Sequence, residues 1–115
     1  MKARAYQRYN YTVNLFDYVD QTQSDGSVLR THSIAERDRK ININTDNTNR
    51  LIITCATPID LEWGLRTLKD RAGVEIGYGY MWYIKSIEPV INALGYVEGY
   101  RMKTGPQTPY LNVSA

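Results

Sequence analysis

Apolar and aromatic residues recur at every second position over most of this chain, and that period decides what it can fold into. Tyr9, Tyr11, Val13 and Leu15 alternate with Asn10, Thr12 and Asn14; Tyr80, Trp82 and Ile84 share one parity; Tyr96, Glu98, Tyr100 and Met102 alternate with Val97, Gly99 and Arg101. A period of two sends successive side chains to opposite faces of an extended strand, so each of these runs has one face for a core and one for solvent. Ten tyrosines and two tryptophans, with many Thr, Ile and Val, also suit a pleated, half-buried surface better than a helix. The chain is expected to be all-β.

Turn signals divide it into about six short strands, the spacing of a small antiparallel barrel or sandwich. The first strand starts at Tyr9, and Asp25-Gly26 marks a turn. Residues 28–31 form a short second strand, and residues 35–40, Ala-Glu-Arg-Asp-Arg-Lys, read as a solvated loop because charge replaces alternation. Ile41 and Ile43, the turn residues 45–49, and Leu51-Ile-Ile-Thr-Cys-Ala56 make a hairpin that Pro58 ends. Residues 59–72 fit two periods. Gly64 counts against a regular helix, so a turn at Trp63-Gly64 leading to a strand from Leu65 is preferred over a one-turn helix. Residues 73–79 connect to a strand over 80–87 that Glu88-Pro89 stops; a crossover through Val90, Ile91 and Leu94 leads to the last strand, 96–103.

With 115 residues there is material for one core, assigned to residues 1–104, while residues 105–115, with two prolines, form an extended tail. Charged residues make up 23% and the net charge is +2, a near-balance that does not suggest an autonomous nucleic-acid binder. The single Cys55 excludes an intramolecular disulfide and sits among Leu51, Ile52 and Ile53 as a small buried hydrophobe. With His32 as the only histidine, a cysteine-histidine zinc site is not available within one chain. The N-terminal residues lack the apolar segment of a signal peptide, and no run approaches the roughly 20 apolar residues of a spanning helix. A soluble chain made without export, with no membrane partner, is expected.

Enzymatic readings gain no support. Asp60 and Glu62 lie two apart, as a carboxylate pair might, but such pairs are common on solvated edges. His32 has Ser33, Glu36 and Asp38 nearby in sequence, without a nucleophile elbow or an orienting third group. Gly77-Tyr-Gly79 lacks the third glycine and the helix of a nucleotide loop. Tyrosines near Arg4, Arg8 and Arg101 fit base-stacking platforms, but tyrosines that close a small core with their hydroxyls in water explain them more simply. No catalytic residue, metal or cofactor is expected.

The order of features resembles the head-closure, or stopper, family of head–tail connector proteins of tailed bacteriophages. The resemblance rests on Lys40-Ile-Asn-Ile-Asn-Thr45 with Leu51-Ile-Ile-Thr54, on Ile59-Asp-Leu-Glu-Trp-Gly64, on Trp82-Tyr-Ile-Lys-Ser-Ile-Glu-Pro-Val90 and on Gly95-Tyr-Val-Glu-Gly-Tyr100, which together span most of residues 40–103. Trp63-Gly-Leu-Arg departs from the Gly-Asp of the corresponding family turn, and residues 73–79 are longer than a tight hairpin. The resemblance implies a small β-barrel, SH3-like or OB-like, with long loops. It implies a ring of identical subunits in the virion neck, assembled in the host cytoplasm between the portal–adaptor complex and the tail proteins. A loop projecting into the channel would hold the packaged DNA. Near-neutral charge suits a DNA conduit, because a strongly basic lumen would retain phosphates during ejection. The alternatives are a nucleic-acid-binding barrel and a tail-completion or tail-terminator protein.

Under that resemblance the channel loop is expected in residues 21–40, with His32, Glu36, Arg37, Asp38, Arg39 and Lys40 as the residues that meet or limit contact with DNA. The alternative is the connection over residues 71–79, with Arg71 and a bulky Tyr78. Tyr110, Leu111 and Val113 are the expected tail anchors on a neighbouring subunit or ring, by strand addition.

Overall fold

The alternating runs become strands, and the strands close on themselves. The structure, a computed structural model, describes residues 9–44 and 49–109. In chain order these hold β1 (Tyr11–Thr22), β2 (Val28–Ile43), β3 (Ile52–Cys55), β4 (Gly64–Asp70), β5 (Glu75–Ile76), β6 (Tyr80–Ile91), β7 (Val97–Thr104) and β8 (Thr108–Pro109), with no helix among the described residues. All pairings are antiparallel. The order is β5-β4-β1-β2-β3-β7-β6-β8. β4 also pairs with β6, Gly64 opposite Tyr83 and Leu65 opposite Trp82, so the run from β4 through β1, β2, β3 and β7 to β6 closes into a ring of pairings.

Inside that ring Val13, Leu15, Ile41, Ile53, Leu65, Ile84 and Met102 surround Trp82, all of them fully or almost fully buried. Burial of side chains this size contributes about 1.5–3 kcal/mol each, the main favourable term for so small a domain. Two glycines allow the close approaches. A Cβ on Gly64 would strike the Met81 side chain, and it sits where β4 meets both Phe16 of β1 and Tyr83 of β6. Gly77 turns with φ +64° directly against the Trp82 ring, where a side chain has neither the backbone freedom nor the space.

Several expectations are corrected. Residues 35–40 are not a loop: β2 runs unbroken through them, from Val28 to Ile43. Opposite β1 the partners step from Val13–Arg39 to Leu15–Glu36 and then to Phe16–Ile34, so β2 carries extra residues at 37–38 and at Ala35. These are β-bulges, with Asp38 at φ 54° and its N–H donated to the Asn14 side-chain oxygen at 3.0 Å. Two inserted residues destroy the period of two, which is why a continuous strand reads as a charged loop. A third bulge, with Thr67 at φ 58°, lies where β4 leaves Thr12 and resumes at Asn14.

β6 does not stop at Glu88-Pro89 either; Pro89 faces Tyr100 and the strand continues to Ile91. Beyond Tyr83 no strand of the described residues pairs with the far side of β6, so the missing proline N–H leaves no ladder bond unmade among them. The crossover expected through Val90, Ile91 and Leu94 is instead a tight hairpin, closed by Asn92 N–H to Tyr96 O at 2.9 Å and Gly95 N–H to Asn92 O at 3.0 Å. The turn expected at Trp63-Gly64 begins slightly earlier, with Trp63 N–H on Asp60 O at 3.2 Å, and β4 follows it as a strand. Residues 105–109 stay on the body: Gly105 N–H donates to Tyr83 O at 3.0 Å, and β8 adds two residues to the start of β6.

Candidate functional site

β1 and β2 pair far beyond the ring. From Asp17–Ser33 to Thr22–Val28 they form a ribbon with no third strand on either side among the described residues. Six pairs at about 3.4 Å per residue give a projection of about 20 Å. At its tip Gln23 N–H donates to Ser27 O at 2.7 Å, and the Asp25 carboxylate accepts the Ser27 N–H at 2.9 Å and hydroxyl at 2.6 Å. The Ser27 hydroxyl holds the Asp25 carboxyl below its ordinary value. The Asp25-Gly26 turn is therefore as expected. The ribbon leaves Val19 59% and Leu29 53% exposed on one face and Val28 63% exposed on the other.

One face of the ribbon is tied to the body at its root. Register sets Tyr18 opposite His32 and Asp20 opposite Arg30, and the period of two brings all four to the same face. The Arg30 guanidinium forks onto Asp20, Nε to Oδ1 at 2.8 Å and Nη2 to Oδ2 at 3.0 Å, and lies 3.8 Å from the Tyr18 ring centroid. From β6, Tyr83 meets Tyr18 edge-on at 5.9 Å and its hydroxyl lies 3.0 Å from His32 Nε2. Below the cluster, Arg66 of β4 is buried with its guanidinium 4.7 Å from the Phe16 ring centroid. Lys85, two residues after Tyr83 on β6 and bonded to Glu62 at 2.9 Å, flanks the Tyr83 ring. Burial, then the charges of Arg30 and Arg66, hold the His32 pKa below the ordinary 6.5, partly offset by Asp20.

The expected site residues do not form one loop. His32 belongs to the ribbon root, whereas Glu36, Arg37, Asp38, Arg39 and Lys40 lie on the bulged part of β2 within the ring. Arg39 turns back to Glu36 at 3.2 Å and donates to the Thr57 hydroxyl at 2.9 Å. Lys40 is drawn to Tyr9, its Nζ 5.1 Å from the ring centroid, and Arg71 approaches the same ring at 5.0 Å. Lys40 and Arg71, expected in alternative loops, thus meet at Tyr9. Tyr78 stands 78% exposed between β5 and β6, apart from both groups. The tail anchors Tyr110, Leu111 and Val113 lie outside the described residues, as do Arg4 and Arg8.

Sequence reasoning missed Tyr18, Asp20, Arg30 and Tyr83. The available signal was symmetry about the turn: Asp20 and Arg30 stand five positions either side of Asp25, as hairpin partners must. Cys55 is a buried thiol that donates to Thr57 O at 2.9 Å, and burial pushes its pKa up, the behaviour of a packing residue. Among the described residues no three His, Cys, Asp or Glu side chains converge on a metal position, and no helix is long and apolar enough to cross a membrane. Searches against protein-family models, curated proteins and solved structures return no match.

Proposed function

We propose that this chain is a structural component of a tailed-phage neck, a head–tail connector of the stopper kind, in which the ring of strands is a small β-barrel and the β1–β2 ribbon reaches the channel. The observation that carries this reading is the ribbon itself: a two-stranded arm, residues 17–33, projecting from a closed ring of pairings with apolar side chains left uncovered. A lone ribbon of this kind is marginal in water, and neighbouring subunits in a ring would cover it. Within residues 17–33 the ionised groups are Asp17, Asp20 and Asp25 against Arg30, so the arm carries net negative charge. Such an arm obstructs DNA by bulk and does not grip phosphates, which fits holding followed by release. This replaces the expectation that Arg37, Arg39 and Lys40 contact DNA at the same point.

The test is DNA retention. Particles assembled with a shortened ribbon should form normal necks and leak DNA from filled heads; normal retention with normal necks removes the closure role and leaves a passive connector. A second reading, a nucleic-acid-binding barrel, is favoured by one feature, the Tyr9 ring between Lys40 and Arg71. Salt-sensitive binding of single-stranded DNA by the isolated chain, abolished by Tyr9→Ala, would select it.

A further inference from the structure

The ribbon root contains one imidazole, His32, and its surroundings favour the neutral ring. His32 packs against both Tyr18 at 5.9 Å and Tyr83 at 6.3 Å, centroid to centroid. Its Nε2 is 3.0 Å from the Tyr83 oxygen, while the Tyr83 hydroxyl donates to Met81 Sδ at 3.4 Å. Both bonds are satisfied together when neutral His32 carries its proton on Nε2. Nδ1 is then a bare lone pair, buried and without a partner among the described residues. A second proton has to go to Nδ1, where no acceptor waits.

We propose that protonation of His32 releases the ribbon root from β6, making the β1–β2 arm a pH-sensitive element that is seated when the imidazole is neutral and loosened when it is charged. The charges around the ring favour that direction. From β2 Arg30, from β4 Arg66 and from β6 Lys85, next to Tyr83, present positive groups; β1 supplies Asp20, whose carboxylate is already engaged in the Arg30 fork, and Glu62 is held by Lys85. An imidazolium would be part-buried among like charges with an unmet Nδ1–H, and it is relieved by swinging the ring into water, which breaks the Tyr83 contact. The inference stands on the root geometry and is independent of the neck reading.

The sign follows from linkage. Because the seated ring has a lowered pKa, seating is at full strength above the ordinary 6.5 and is lost as pH falls below it toward the seated value. One proton limits the loss to about tenfold per pH unit.

The chain has a single histidine, so its imidazole resonance can be followed without assignment ambiguity. The experiment combines that titration with amide exchange, expressed as protection relative to the intrinsic rate at each pH. Expected is an imidazole midpoint below 6.5, with ribbon amides such as Val19 and Thr31 losing protection over the same range while Ile53 and Met102 keep theirs. His32→Gln retains a donor for Tyr83 but cannot ionise here, so its ribbon protection should be flat over the range of the imidazole titration. Tyr83→Phe removes the seat and should loosen the ribbon already above that range, shrinking the pH response. An imidazole midpoint at or above 6.5, flat ribbon protection in the native chain, or an equal acid loss in His32→Gln overturns the proposal. Should His32→Gln fail to fold, a Tyr83→Phe ribbon as protected and as pH-responsive as the native one overturns it equally.

Discussion

Asp20 and Arg30 face each other across the β1–β2 ribbon and are joined at two points, at 2.8 and 3.0 Å. Both side chains are 41% exposed, so the pair fixes geometry more than it adds stability. Its value is that the fork holds the guanidinium over the Tyr18 ring, which in turn meets Tyr83. Lysine at position 30 cannot reproduce a planar fork or that stacking.

Arg30→Lys should therefore reduce amide protection along the ribbon while leaving the thermal midpoint of the body nearly unchanged. The Arg30 bonds hold the Asp20 carboxyl below its ordinary 3.8, so its contribution is present above that value and lost as pH falls through the lower one. In the His32→Gln background this acid step should remain, and Asp20→Asn should abolish it. An Asp20 carboxyl resonance that titrates at 3.8 or higher contradicts the assignment.

Gly64→Ala tests how the ring closes. The new methyl group meets Met81 and Tyr83 at the junction where β4 pairs with both β1 and β6. Overpacking a fixed junction costs about 1–3 kcal/mol. Denaturant titration should show a lower midpoint with an unchanged slope. Combining it with Met81→Ala, which removes the colliding atoms, should recover part of that loss; strictly additive losses would mean that Gly64 is not a packing constraint.

Fold class was legible because it depends on local period, and Val13, Leu15, Trp82, Ile84 and Met102 are core residues on that basis alone. The extent of β2 was not legible: Ala35 and Asp38 are inserted residues whose cost is met by the partner strand, notably by Asn14, and a single strand's sequence does not display its partner. Pro89 misled for a related reason, since a proline interrupts a strand only where a neighbour needs its N–H. The root cluster was hidden because Tyr18, His32 and Tyr83 converge from strands up to 65 positions apart in the chain, and only His32 attracted notice as an isolated residue type. Two-residue strands such as β5 and β8 are too short to carry any period.

Thr67 is a β-branched residue at φ 58°, a conformation L residues adopt at a cost of about 1–2 kcal/mol. The β4 bulge imposes it, and the side chain is only half-buried. Thr67→Gly relieves the strain but frees the unfolded chain, so a net gain of about 1 kcal/mol is expected from the difference. Chemical denaturation decides it. A less stable variant would mean that the Thr67 side chain contributes packing that outweighs the backbone cost.

The body should fold without the arm. Val19 and Thr31 are directly opposed, and the Gln23–Ser27 bond at the tip fixes the parity of the ladder, which makes Val19–Thr31 a hydrogen-bonded pair four residues nearer the body. Such a pair accepts a two-residue Asn-Gly turn, so residues 20–30 can be replaced by Asn-Gly without disturbing the strands beneath. The excised segment includes Val28 and Leu29 and no core side chain. The shortened chain should keep its cooperative unfolding transition and its buried Trp82 fluorescence, and it should be more soluble. Loss of cooperative folding would show that the ribbon is part of the folding unit and not an appendage, and the arm would then have to be read as structural support for the ring of strands.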